Sequence, residues 1–215
     1  MNPSELSKWD FSLLKEKYEQ LEISYEEVFV DIKDVIIKAL ISIEHHVCSK
    51  ITKSHTQTHQ CFDLFGFDIL MDDSLTPWLL EVNMCPSLSS SSRLDKKIKT
   101  ALMCDVFHLI GIQKFSHSEV YLNNIKESRK VESEIPYDPL IDDMTENTKL
   151  SPDDLETLMS FREEWNRAGE NMQRIFPLRR NWKYYSKFFE YKRYNNYLLW
   201  RYLSSNQLIL NPFKA

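Results

Sequence analysis

Asp68, Glu81 and Asn83 are the residues of this 215-residue chain whose types and spacing could do chemistry together. They lie within CFDLFGFDILMDDSLTPWLLEVNMCPSL, residues 61–88, where two apolar runs, 62–71 and 77–83, flank a polar stretch containing Asp72, Asp73, Ser74 and Thr76. Runs rich in Phe, Ile, Leu, Val and Trp around turn-forming residues read as a β-hairpin. If the hairpin is symmetric about the Ser74–Leu75 bond, Asp68 faces Glu81 across the ladder. Asn83, two residues further on, shares the face of Glu81. Two carboxylates and an amide oxygen converging on one spot form a hard-oxygen set suited to Mg²⁺ shared with substrate phosphates. Acidic residues in strands are often simply solvent-facing, and a D…ExN pattern is short. The apolar neighbours Phe67, Ile69, Leu79, Leu80 and Val82 suggest a strand pair covered on both faces, where an unpaired carboxylate is costly unless a cation or donor meets it.

The elements that must position this set follow from periodicity. Residues 11–20 form a short helical stretch. Residues 25–50 form a stronger one, with Val28, Ile32, Val35, Ile36, Ala39, Leu40, Ile43 and Val47 at helical spacing and expected to cover the hairpin. Residues 49–60 read as a polar connector. His55, His59 and Cys61 there lack an evident fourth ligand and are discounted as a zinc site. Past Pro86 a serine run leads to Ser92 and Asp95, which resemble a capping box, and a helix is expected to end at Gly111. Lys96, Lys97 and Lys99 fall in its first two turns, where the helix dipole does not favour cations. They are either a solvated face or a reach toward an anion.

The net charge of −5 conceals an asymmetry: residues 117–156 hold eleven acids and four bases, residues 170–201 eight bases and two acids. The acidic stretch, residues 114–150, reads as a poorly ordered linker between residues 1–113 and 151–215. Ser151, Pro152, Asp153 and Asp154 mark a helix start, and the helix is expected to reach about Ala168. Residues 181–203 interleave aromatic with basic side chains and read as one helix, its aromatics forming core or a polyanion surface. The three glycines form no phosphate-cradling cluster, so the chain cannot grip a nucleotide by that device alone. No run of eighteen apolar residues indicates a membrane span. The four cysteines form no CxxC pair and the N-terminus carries no apolar signal region, giving an expectation of a cytosolic protein with reduced thiols.

Taken together, LFGFDIL, PWLLEVNMCPSL and LDKKIK resemble the tubulin tyrosine ligase-like family, more closely its polyglutamylase branch. The resemblance runs from SKW, at Ser7, through Gly111, and continues more weakly in RIFPLRRNWKYYSKFFEY. It implies an α+β chain holding the C-terminal portion of an ATP-grasp fold, followed by a mostly helical basic segment that could contact microtubules. The activity implied is an ATP- and Mg²⁺-dependent ligase. It phosphorylates an acceptor γ-carboxylate in an acidic tubulin tail, and the amine of free L-glutamate then attacks the acylphosphate. Asp68, Glu81 and Asn83 match the family's catalytic Mg²⁺ ligands. Lys99 matches a position binding the incoming glutamate, and Lys8 of SKW matches another. The implied setting is cytoplasmic, on microtubules, a cilium or a basal body, with neither nucleic acid nor membrane as partner. One departure is that no lysine-bearing nucleotide clamp or HLTNYS-like element precedes SKW. The expectation is therefore either a fragment of a longer enzyme or a truncated, non-catalytic microtubule-binding or regulatory paralogue.

Overall fold

The computed structural model describes residues 8–53, 62–111 and 151–204. Among these, six helices and one two-stranded antiparallel sheet follow in the order α1 Phe11–Gln20, α2 Tyr25–Lys53, β1 Gly66–Met71, β2 Pro77–Asn83, α3 Arg93–Ile110, α4 Pro152–Arg167, α5 Trp182–Tyr185 and α6 Tyr194–Ser204. The expected linker, residues 114–150, and the discounted His55, His59 and Cys61 lie outside the described residues. None of the described helices is long and apolar enough to cross a membrane.

The chain divides into two compact units: Met1–Ala39 with Phe62–His108, and Leu40–Cys61 with Leu109–Ala215. In the first, Asp10 caps α1 by accepting the Leu13 N–H at 2.8 Å. Phe29 of α2 meets Phe11 of α1 edge-on at 5.2 Å and Tyr25 of α2 meets Tyr18 of α1 at 6.3 Å, which ties the two helices together, while Tyr25 and Phe29 stack on each other at 4.2 Å. Val28 and Ile37 of α2 and Val106 of α3 are buried. The hairpin departs from expectation. Leu70, Trp78 and Leu80 are 55%, 58% and 64% exposed, so α2 does not cover it and its faces are not both buried. An apolar run shows that a strand has surface to hide; it does not say which residues hide it.

In the second unit the core is aromatic. Leu158 and Phe161 of α4, Trp182 and Tyr185 of α5 and Leu198 of α6 are buried. Phe176 packs against Trp182, Tyr185 and Phe189 with ring centroids about 6 Å apart. Residues 181–203 are thus two helices separated by residues 186–193, where the sequence reading expected one. The rings pack around Phe176, which a single straight helix would not allow, and aromatic residues have only modest helix propensity to resist the break. Arg174 lies over Phe161 at 3.9 Å and Trp165 at 5.1 Å and meets Glu164 at 3.6 Å, tying the loop after α4 back onto that helix.

Two helix ends behave as their sequence indicates. Ser151 and Asp154 form a reciprocal capping box at α4, with bonds of 2.8 and 3.2 Å, and Pro152 stands in the first turn. The Asp154 carboxyl is buried and also accepts from Tyr194 of α6, whose phenol is pushed up by burial and by that acid. At the end of α3, Gly111 takes φ +64°. The Arg167 guanidinium covers it and donates to the Leu109 carbonyl at 3.1 Å, satisfying one of the orphan acceptors of the last turn.

Gly111→Ala is expected to lower unfolding stability by about 1 kcal/mol, because a β-carbon there enters a left-handed backbone and lies 2.6 Å from the Arg167 Cζ. Gly111→Asn should cost less, since Asn tolerates that region. Urea unfolding of the three proteins checks the ranking, and an unchanged midpoint for Gly111→Ala contradicts it.

Candidate active site

Asp68 pairs directly with Glu81, but not for the reason that hairpin symmetry suggests. Near the turn the register is Met71 with Pro77, Leu70 with Trp78 and Ile69 with Leu79. Beyond it the pairs are Asp68 with Glu81, Phe67 with Val82 and Gly66 with Asn83. Leu80 is therefore an extra residue, a β-bulge. Carried straight through, the turn-side register would put Asp68 opposite Leu80 and Glu81 opposite Phe67. A one-residue slip in a strand reverses every side chain, so Glu81 would then point to the other face. The bulge is what brings the two carboxylates to one side.

The turn that sets this register is built by Asp72. Its N–H donates to the Thr76 carbonyl at 3.2 Å and its carbonyl accepts the Leu75 N–H at 2.9 Å. Its carboxylate accepts the N–H groups of Ser74 and Thr76 and the indole N–H of Trp78, each at 2.9 Å, which holds its pKa down. Leu75 adopts φ +61°, a conformation disfavoured for a side chain of its kind. The loop is odd in length and centred on Ser74. Sequence spacing alone does not reveal a turn of this parity, nor the bulge that compensates for it.

On the shared face the Glu81 carboxylate hydrogen-bonds Asp68 and repels its charge, raising the Asp68 pKa above the ordinary carboxylate value. Asn83 Nδ2 donates to Glu81 Oε1 at 3.0 Å, using the amide nitrogen and keeping the carbonyl oxygen as a donor atom for a cation. Gly66, opposite Asn83, leaves that corner open; a β-carbon there would lie 3.0 Å from Pro86 Cβ and 3.6 Å from Asn83 Cβ. All three site residues are exposed. The ion pairs formed among the described residues involve other carboxylates. Like charges paired without a base, with an amide oxygen beside them, fit an oxygen-ligated divalent cation.

The two lysines singled out from the sequence lie elsewhere in the same unit, both on the serine run before α3. Lys8 Nζ meets Asp95 Oδ2 at 2.9 Å and Ser91 Oγ at 3.1 Å. Lys99 Nζ donates to the Ser89 carbonyl. Ser92 caps α3 by accepting the Asp95 N–H at 3.0 Å, as expected, but the Asp95 carboxylate turns to Ser91 rather than completing the box. Lys96 and Lys99, with Leu88, Thr100, Met103 and Phe107, line an open groove of about 360 Å³. Its lining is mostly apolar, with two lysines among it. Asp95, whose carboxyl is held well below the usual range by Lys8 and Ser91, was legible in the sequence only as a cap.

The model of the family described as "Tubulin-tyrosine ligase family" matches residues 2–127. Human tubulin monoglutamylase TTLL4 is 30% identical over 224 residues, covering 89% of this chain and 18% of its own length. The tubulin polyglutamylase ttll-4 of Caenorhabditis briggsae is 32% identical over 207 residues, covering 89% of this chain and 34% of its own length. Human tubulin polyglutamylase TTLL6 is 42% identical over 120 residues, covering 53% of this chain and 13% of its own. The match thus spans between 13% and 34% of the length of these relatives.

A raised folded-state pKa gives a stability contribution that is complete below the unfolded value and lost as pH rises through the folded one; Asp68 should behave this way. Asp95 is the reverse, its contribution being present above the unfolded value and lost as pH falls. Carbon-detected NMR titration should give Asp68 a midpoint above, and Asp95 one below, that of a free aspartate. Glu81→Gln, or deletion of Leu80, should return Asp68 to the ordinary value. An unmoved midpoint after the Leu80 deletion contradicts the role given to the bulge.

Proposed function

The chain belongs to the tubulin-tyrosine ligase family, and from that premise we propose that it carries part of the active site of an ATP- and Mg²⁺-dependent ligase joining free L-glutamate to glutamate side chains of acidic tubulin tails. The observation that carries this reading is the bulge-set pairing of Asp68 with Glu81 and the amide of Asn83 beside them. These three residues would hold Mg²⁺, which when bound supplies the positive charge that anionic phosphates and carboxylates need in order to approach one another. Asp68 and Glu81 would meet the cation as carboxylates, and Asn83 orients Glu81. Lys99, which donates to the neutral Ser89 carbonyl, offers its charge to the carboxylate of the incoming glutamate. Relatives named tubulin monoglutamylase and tubulin polyglutamylase support glutamate as the group transferred and tubulin as the acceptor.

The second unit supports the choice of an acidic partner. Arg179, Arg180, Lys183 and Lys187 are exposed, and Tyr184 and Phe188, exposed beside them, pack on each other at 5.4 Å. In this reading that surface meets the microtubule. The same surface, acting alone, would make a non-catalytic microtubule-binding protein.

Glu81→Gln in the complete enzyme is expected to reduce glutamate incorporation by at least about a thousandfold with the unfolding midpoint unchanged. Near-normal incorporation contradicts the ligase reading. Co-sedimentation with microtubules should weaken steeply with salt, since exposed charges are screened within about 10 Å at 0.1 M ionic strength. Binding of Glu81→Gln that matches the parent, joined to a parent that incorporates no glutamate, would favour the non-catalytic alternative.

A further inference from the structure

Lys8 and Lys99 look alike in the sequence, but they occupy different electrostatic settings. The Lys8 ammonium lies 2.9 Å from a carboxylate and 3.1 Å from the Ser91 hydroxyl, so its charge is cancelled and two of its three donors are used. Lys99 is bound to a carbonyl and keeps its net charge, as does Lys96 beside it on the groove. Asp95 stands between the two arrangements. One of its oxygens accepts Lys8 Nζ, the Ser91 N–H at 3.2 Å and the Ser91 hydroxyl at 2.7 Å, while its own N–H is held by Ser92 at 3.0 Å. Its side chain is 15% exposed against 48% for Lys8. The serine run is therefore pinned through Asp95, and the same run presents the carbonyl that seats Lys99.

We infer that Asp95 is a positioning residue of the candidate site. By holding Lys8 and Ser91 it fixes residues 89–92, whose Ser89 carbonyl aims the Lys99 ammonium, and Lys8 is a strut rather than a substrate ligand. This rests on the reading of Lys99 as the glutamate-binding cation and narrows it, removing Lys8 from the substrate contacts. Surface ion pairs contribute little to stability, so the pair's work is geometric and its variants should fold.

The test has two arms. In the full chain, lysine acetylation followed by mass spectrometry should show Lys99 labelling about threefold faster in Asp95→Asn, with Lys183 as the unchanged control. Lys8→Arg, which keeps the pair, should leave Lys99 at the parent rate. Unchanged Lys99 labelling in Asp95→Asn overturns the inference whether or not the protein is a ligase. In the complete enzyme, Lys8→Met and Asp95→Asn should each raise KM for glutamate about tenfold with kcat nearly retained, and the double variant should be no worse than either. A rise in KM for Lys8→Met but none for Asp95→Asn makes Lys8 a ligand and overturns the strut. A parent enzyme that transfers no glutamate refutes the proposed reaction, and the acetylation arm still decides the position of Lys99.

Discussion

Two carboxylates of like charge face each other across a pair of strands, and the rest of the site depends on that constraint. Asp68 opposite Glu81 is an unfavourable cross-strand pair in isolation, and its cost appears as the raised pKa of Asp68. The arrangement exists only because one extra residue, Leu80, offsets the register imposed by a five-residue loop that Asp72 organises. A bulge that re-aims a side chain beside a binding site is a device sheets use repeatedly. Here it turns Glu81 onto the face of Asp68 and carries Asn83 with it.

Around this pair the first unit has modest means. Among the described residues its buried apolar positions are Val28, Ile37 and Val106, while Leu70, Trp78 and Leu80 of the hairpin are more than half exposed. Local polar bonds therefore carry much of the definition: the Asp72 fan over the turn, the Asn83–Glu81 bond, and the serine run gripped by Lys8, Asp95, Ser92 and Lys99. In the second unit the balance is reversed, with stacked rings around Phe176 and Arg174 laid over Phe161 supplying the core.

Much of this was legible in the sequence. The ends of α1, β2 and α4 follow from apolar period, proline and capping residues, and hairpin symmetry with strand alternation singles out Asp68, Glu81 and Asn83. The pairing came out right although the register was not, because the loop's odd length and the bulge at Leu80 cancel at Asp68. Local sequence spacing reveals neither, since the turn is set by the bonds Asp72 makes and the bulge by the pairing across the ladder. Burial of the hairpin was misjudged because an apolar face signals a need for cover without naming what provides it. The break between α5 and α6 was missed because ring packing around Phe176 is tertiary. The Lys8–Asp95 ion pair is hidden from the sequence for a similar reason, the two residues lying 87 positions apart.

The central claim is that the bulge-set face of Asp68, Glu81 and Asn83 binds a divalent cation. It is tested most directly by adding Mn²⁺ to the isotope-labelled full chain and mapping paramagnetic broadening of amide resonances. The account predicts broadening centred on residues 66–68 and 81–83, competed by Mg²⁺ and lost in Asp68→Asn. Broadening that leaves those residues sharp while affecting other acidic positions, or that persists in Asp68→Asn, would contradict it.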